Sequence, residues 1–174
     1  RASWEKISEL VRLFQQAHLI GLLPEYSTAL SPKTTTMDKV YAVDQGMAYA
    51  TSRANQQDIG KRLETAIYAE LMRRTANGRM ETVTSYTAPT QTREKVDFLV
   101  GDALASDPYA LFQVTVDMTA EKTRRREVGS LEVAMSKTRI KDAKIITLRE
   151  ATQIETEYGI IEVIPAWKWS LGLK

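Results

Sequence analysis

Apolar residues recur at helical spacing from the start of the chain: Trp4, Ile7, Leu10, Val11, Phe14 and Ala17 keep a three- and four-residue rhythm. Ser3 stands just before them, where its side-chain oxygen can accept from a free N–H of the first turn. The pattern predicts a helix, closed by the apolar run and breakers Leu19-Ile20-Gly21-Leu22-Leu23-Pro24. Residues 27–38, rich in Ser, Thr, Pro and Lys, read as a loop or hairpin tip. Lys39-Val40-Tyr41-Ala42-Val43-Asp44 has strand character, and residues 46–51 read as a helical turn.

The pattern changes near Gln56. Asp58 can cap a helix reaching about Arg74, with Ile59, Leu63, Ala66, Ile67 and Leu71 as its buried stripe, and Asn77-Gly78 stopping it. Three strand candidates follow at residues 80–86, 95–100 and 109–118, separated by Ala88-Pro89-Thr90 and by residues 102–108. A helix over residues 119–136 turns Val128, Leu131 and Met135 inward. Residues 143–148 and 159–164 read as two further strands, and Pro165 opens a short terminal helix. The expected order is helix, three strands, helix, strand, strand: an α/β protein with a mixed central sheet flanked by helices. The expected organisation is a small helical segment over residues 1–53 and a second unit over residues 54–174.

Composition narrows the chemistry. The chain has 174 residues, 43% hydrophobic and 26% charged, and no apolar run approaches the roughly 18 residues of a membrane span. A cytoplasmic protein without a membrane partner is expected. Arg1-Ala2-Ser3 carries neither an initiator Met nor the apolar core of a signal peptide, so the sequence reads as a piece of a longer protein. Cysteine is absent, which removes disulfides, thiol nucleophiles and Cys-based zinc sites. His18 is the single histidine and sits near a helix end, where a terminal or interface role suits it better than catalysis. A net charge of +2 says nothing of nucleic acid unless the basic residues cluster.

The chemistry concentrates in the second and third strands. Alternation places Leu111, Gln113, Thr115 and Asp117 on one face of the third strand and Phe112, Val114, Val116 and Met118 on the other, one face core and one polar. If the second strand pairs with it, Asp97 lies beside Gln113, and Glu64 approaches from the helix packed on the sheet. A hard cation such as magnesium takes oxygen ligands of this kind, here Asp97 and Gln113, and would polarise a phosphate and activate water. A nearby lysine would complete such a site. None lies in these strands at a suitable position, although Lys95, Lys122 or Lys137 has a stem long enough to reach in.

The element order, with Glu64, Asp97 and Gln113-Val114-Thr115, resembles the PD-(D/E)XK nuclease fold, a restriction-endonuclease-like core. The first helix and hairpin resemble the end of a winged-helix unit. The whole chain also resembles the C-terminal region, a domain of unknown function, of a prokaryotic AAA-type ATPase family. The segments that carry this are Leu19-Ile20 to Ser31-Pro32-Lys33, Lys39-Val40-Tyr41-Ala42-Val43-Asp44-Gln45-Gly46, Gly60-Lys61-Arg62-Leu63-Glu64, Val96-Asp97-Phe98, Phe112-Gln113-Val114, Thr123-Arg124-Arg125-Arg126-Glu127 and Ile164-Pro165-Ala166-Trp167-Lys168-Trp169. The resemblance implies an ATP-binding module N-terminal to this region, which would be its partner within one chain. It also implies that Gln113 stands where the nuclease motif has a carboxylate and Thr115 where it has a lysine. Catalytic positions Glu64, Asp97, Gln113 and Thr115 are thus expected to form a degenerate site, leaving a binding or regulatory region. A DNA nuclease and a pure protein-interaction module are the alternatives.

Two further features remain. Lys122, Arg124, Arg125 and Arg126, followed by Lys137, form the clearest basic cluster and are candidates for contact with a nucleic-acid backbone; the alternative is a solvated face neutralised by Glu121, Glu127 and Glu132. Gly60-Lys61 is no phosphate-binding loop, because the spaced glycine and the following Ser or Thr are missing, so ATP chemistry falls outside these residues. The pair Trp167 and Trp169 reads as a core plug or docking anchor.

Overall fold

A computed structural model describes residues 3–27, 38–51, 58–76, 81–102 and 107–173. The order is α1 (Trp4–Gln16), β1 (Ile20–Leu23), β2 (Lys39–Ala42), α2 (Gln45–Thr51), α3 (Ile59–Thr75), β3 (Glu81–Thr87), β4 (Lys95–Asp102), β5 (Asp107–Val114), α4 (Glu121–Thr138), β6 (Asp142–Thr147), β7 (Thr152–Thr156), β8 (Gly159–Pro165) and α5 (Ala166–Ser170). The expected loop at residues 27–38 and the stop at Asn77-Gly78 lie almost wholly outside the described residues.

The starts of α1 and α3 follow from their caps. The Ser3 oxygen accepts from the Lys6 N–H, and the Asp58 carboxylate accepts from the Lys61 N–H at 2.8 Å. The run after α1, expected only to end that helix, is strand β1, paired antiparallel with β2 from Ile20 opposite Ala42 to Leu23 opposite Lys39. Gly21 permits this packing: a Cβ there would sit 2.2 Å from the Tyr68 hydroxyl. The chain after β1 then runs along the edge of β3, where Tyr26 N–H donates to Ser85 O at 2.7 Å and Ser85 N–H to Pro24 O at 2.8 Å.

The main sheet has six strands in the order β3-β4-β5-β6-β8-β7. β3, β4 and β5 are antiparallel neighbours, β5, β6 and β8 are parallel, and β7 returns antiparallel on the far edge. Helix α4 makes the crossover from β5 to its parallel neighbour β6. β7 was not expected: Thr152-Gln153-Ile154-Glu155-Thr156 is a polar edge strand with no buried residue, and such strands lack apolar alternation.

Both faces of the sheet are covered. On one side α3, α5 and the β1–β2 hairpin share a core containing Leu23, Tyr41, Leu63, Ile67, Tyr68, Phe98, Phe112, Ile146 and Trp169. On the other, α4 closes a core containing Val96, Leu99, Leu111, Leu131, Met135, Ile145 and Ile161. This corrects the expectation of one polar face on β5: Leu111, Phe112 and Gln113 are all buried, because the central strand lies between two helical layers. The strand also ends at Val114, so Thr115 and Asp117 belong to the connection towards α4. The stripe of α3 is rotated from expectation. Ile59 and Ala66 are exposed, while Thr65 and Tyr68 are buried, since the hairpin offers Tyr41, whose ring stacks on Tyr68 with centroids 4.3 Å apart. Trp169 is the expected plug, edge-on to Phe112 and beneath the Arg74 guanidinium, whereas Trp167 is exposed.

Candidate functional site

Glu64 and Asp97 come together as the spacing suggested, but through a residue that the strand patterning did not single out. Lys39, at the start of β2, places its Nζ 3.0 Å from Glu64 Oε1 and 3.1 Å from Asp97 Oδ1. The Tyr41 hydroxyl donates to the same Glu64 oxygen at 2.6 Å. Alternation along a strand puts Lys39 and Tyr41 on one face of β2, which packs on α3 and β4. That signal was present in Lys39-Val40-Tyr41; sequence distance hid it, since Lys39 lies 25 residues from Glu64 and 58 from Asp97. The lysine is therefore not Lys95, Lys122 or Lys137: all three are exposed, and none has an ion pair with Glu64 or Asp97 among the described residues.

A β-bulge aims Asp97. The ladder between β3 and β4 pairs Thr84 with Leu99 and then Tyr86 with Val96, so β4 carries one extra residue across this step. Val96 and Leu99 both enter the α4-side core while Phe98 enters the other. The broken alternation releases Asp97 from the pleat. Its Oδ2 accepts from the Val114 N–H at 3.0 Å, tying the end of β5, and its Oδ1 meets the lysine.

Gln113 is turned away from the lysine. Its Oε1 accepts from the Asp97 N–H at 3.1 Å, and its Nε2 donates to Glu127 Oε2 at 2.6 Å. Glu127, on α4, is buried, and its other oxygen is paired with the Arg126 guanidinium. Thr115 donates from its hydroxyl to Asp117 O at 3.2 Å and does not touch the carboxylate pair among the contacts of the described residues. The structure thus joins Glu64 to Asp97 through Lys39 and Gln113 to Asp97 through the Asp97 backbone, with Lys39, Tyr41 and Glu127 as the residues the sequence patterning missed.

The electrostatics follow from this packing. Burial, and then the nearby Glu64 charge, push the Asp97 carboxyl up to about 6 despite Lys39 and the Val114 N–H. Burial alone would lower Lys39, but Asp97 and Glu64 outweigh it and hold the ammonium above its ordinary value. The Tyr41 phenol is held well above its usual range by burial and by its hydrogen bond to Glu64. It is therefore a fixed donor at neutral pH. Two carboxylates and one ammonium leave the pocket with a formal charge of −1.

The basic candidates are exposed residues of α4. Arg125 pairs with Glu121 at 2.8 Å and Arg126 with the buried Glu127, while Lys122, Arg124 and Lys137 are exposed. Among the described residues no group of three or more His, Cys, Asp and Glu side chains is arranged to hold a metal ion, and no helix is long and apolar enough to cross a membrane.

No family model and no solved structure matches the chain. It is similar to the uncharacterized protein MJ1544 of Methanocaldococcus jannaschii, with 29% identity over 177 residues. That alignment takes in 98% of this chain and 37% of MJ1544, so the chain spans little more than a third of the length of the curated relative it matches.

Proposed function

We propose that this chain is the accessory C-terminal region of a cytoplasmic AAA-type ATPase: a winged-helix-like segment over residues 1–53 leading into a PD-(D/E)XK nuclease-like domain over residues 54–174, whose carboxylate pocket serves binding rather than hydrolysis. The observation that carries this reading is the Lys39 ammonium bridging Glu64 and Asp97. A hydrolytic metal site needs carboxylate oxygens open to a dication and to water. Here the space between the two carboxylates is taken by an internal cation. As the pocket stands it does not fit a resident magnesium ion, since the Gln113 oxygen also faces the Asp97 N–H. The ATPase part of the reading is supported by the ordered segments that resemble that family and by the additional length of MJ1544, which leaves room for a separate module. ATP chemistry would belong to that module.

The binding surface for a nucleic-acid backbone is formed by the exposed basic side chains of α4, with Lys122, Arg124 and Lys137 open to solvent and Arg125 and Arg126 sharing their charge with glutamates. The test is incubation of the chain with single- and double-stranded DNA, with magnesium or manganese. The reading predicts no cleavage, together with salt-dependent binding that Arg124→Glu weakens. Cleavage that is lost in Asp97→Ala would overturn it.

One observation favours a second reading, a divalent-metal-dependent DNA nuclease: Lys39 lies 3.1 Å from Asp97, where a relocated lysine could stand in for Thr115. A metal would then have to displace the ammonium and be held by Asp97 and Gln113 with Glu64 assisting, and cleavage would require Lys39 as well as Asp97. A protein-interaction module is favoured by α1, whose Trp4, Ile7, Leu10, Leu13 and Phe14 are all exposed. Retention of a partner without any DNA binding would select that reading.

A further inference from the structure

Gln113 looks like a decayed carboxylate only while its surroundings are ignored. Its side chain is 8% exposed and is held at both ends by groups of opposite hydrogen-bonding character. A backbone N–H can only donate, so the Asp97 N–H requires an oxygen at 3.1 Å. A carboxylate can only accept, so Glu127, 2% exposed, requires the NH2 group at 2.6 Å. Turning the amide over would set NH2 against N–H and oxygen against oxygen. Glutamine is the side chain that satisfies both, while glutamate at 113 would set two carboxylates against each other inside the core.

We infer that Glu127 is a positioning residue for the carboxylate pocket: from the α4 side of the sheet it fixes the Gln113 amide so that the oxygen faces Asp97, and it requires glutamine rather than glutamate at position 113. The third acidic group of the region stands behind the strand on α4, where Arg126 pairs with it from the surface. Placing a carboxylate at position 113 therefore takes an exchange of two residues. With Gln113→Glu and Glu127→Gln together, the amide NH2 comes from position 127, the carboxylate accepts both it and the Asp97 N–H, and the hydrogen bonds are rebuilt with the charge on the pocket side. This goes beyond the proposed function, since it holds whether the pocket binds or hydrolyses.

Thermal unfolding of the full 174-residue chain, followed by circular dichroism for the parent, Q113E, E127Q and the exchange, tests it. Q113E is expected to lower the midpoint by roughly 6–20 °C, because it sets a second carboxylate against Glu127 in the core and removes the NH2 group that donates to it. E127Q loses less, because a glutamine oxygen still accepts from Gln113. The exchange recovers at least half of the Q113E loss. A second readout is the Asp97 amide proton in a 15N-resolved NMR spectrum, which moves downfield in the exchange, where it donates to a charge, and stays near its parent position in E127Q. Should Q113E fail to fold, folding of the exchange with the shifted Asp97 amide carries the same conclusion. A Q113E protein that melts with the parent, an exchange no more stable than Q113E, or an unmoved Asp97 amide in the exchange would each overturn the inference. None of these readouts depends on DNA cleavage or ATP.

Discussion

Asp97→Asn is expected to stabilise the protein at pH 8 and to leave it nearly unchanged at pH 4. The Asp97 carboxyl is pushed from its ordinary 3.8 to about 6 by burial and by Glu64. An acid whose pKa is raised on folding binds its proton more tightly when folded, so folding is favoured below both values and penalised as pH climbs from 3.8 to about 6. At about 1.4 kcal/mol per pH unit, that interval corresponds to a penalty of about 3 kcal/mol above pH 6. The asparagine oxygen can still accept from the Val114 N–H, now 3.0 Å from the carboxylate. Its NH2 end faces Lys39, whose contact is lost. That contact is already contained in the value of about 6, which Lys39 lowers against burial and Glu64, so the penalty stands at about 3 kcal/mol. The gain of about 3 kcal/mol raises the midpoint by roughly 6–12 °C at pH 8 in a chain of this size. At pH 4 the parent is already protonated and the difference vanishes. Calorimetric scans of both proteins at the two pH values measure it. An Asp97→Asn variant less stable than the parent at pH 8, or equally shifted at both pH values, would refute the reasoning.

Other perturbations probe the frame around the pocket. Tyr41→Phe removes the 2.6 Å donor to Glu64 and should cost about 1.5–3 kcal/mol in urea unfolding, with little change in m-value. Gly21→Val would drive its side chain into the Tyr68 hydroxyl, which a Cβ alone approaches to 2.2 Å; the denaturation midpoint should fall by an amount equal to about 1–3 kcal/mol, and adding Tyr68→Phe should recover part of it. Leu131→Ala, in the fully buried centre of α4, should cost about 2–5 kcal/mol by the same measurement.

Much of the frame was legible because the deciding signals were local. Ser3 and Asp58 mark helix starts by their own side-chain chemistry, and Lys95, Val96, Phe98, Leu99 and Val100 read as a strand whatever surrounds them. What failed depended on distant partners. The stripe of α3 turned towards Thr65 and Tyr68 because Tyr41 arrives from the hairpin to stack there. The polar face expected on β5 vanished because α4 covers it, and Gln113 tolerates burial only through Glu127 and the Asp97 backbone. β7 carries too little apolar surface to announce itself. Within the pocket, Glu64 and Asp97 followed from helix and strand patterning, whereas Lys39 and Tyr41 required knowing that β2 folds back onto α3.

Lys39 is the internal cation of the Glu64–Asp97 pair, and the side-chain ammonium signal of that lysine reports on it. In 15N-labelled protein at neutral pH, a Lys39 ammonium held at 3.0 and 3.1 Å from the two carboxylates should give a protected Nζ resonance that Glu64→Gln or Asp97→Asn shifts. Millimolar magnesium should leave it in place. A lysine resonance that is solvent-averaged and insensitive to both substitutions, or one that magnesium displaces, would contradict the claim.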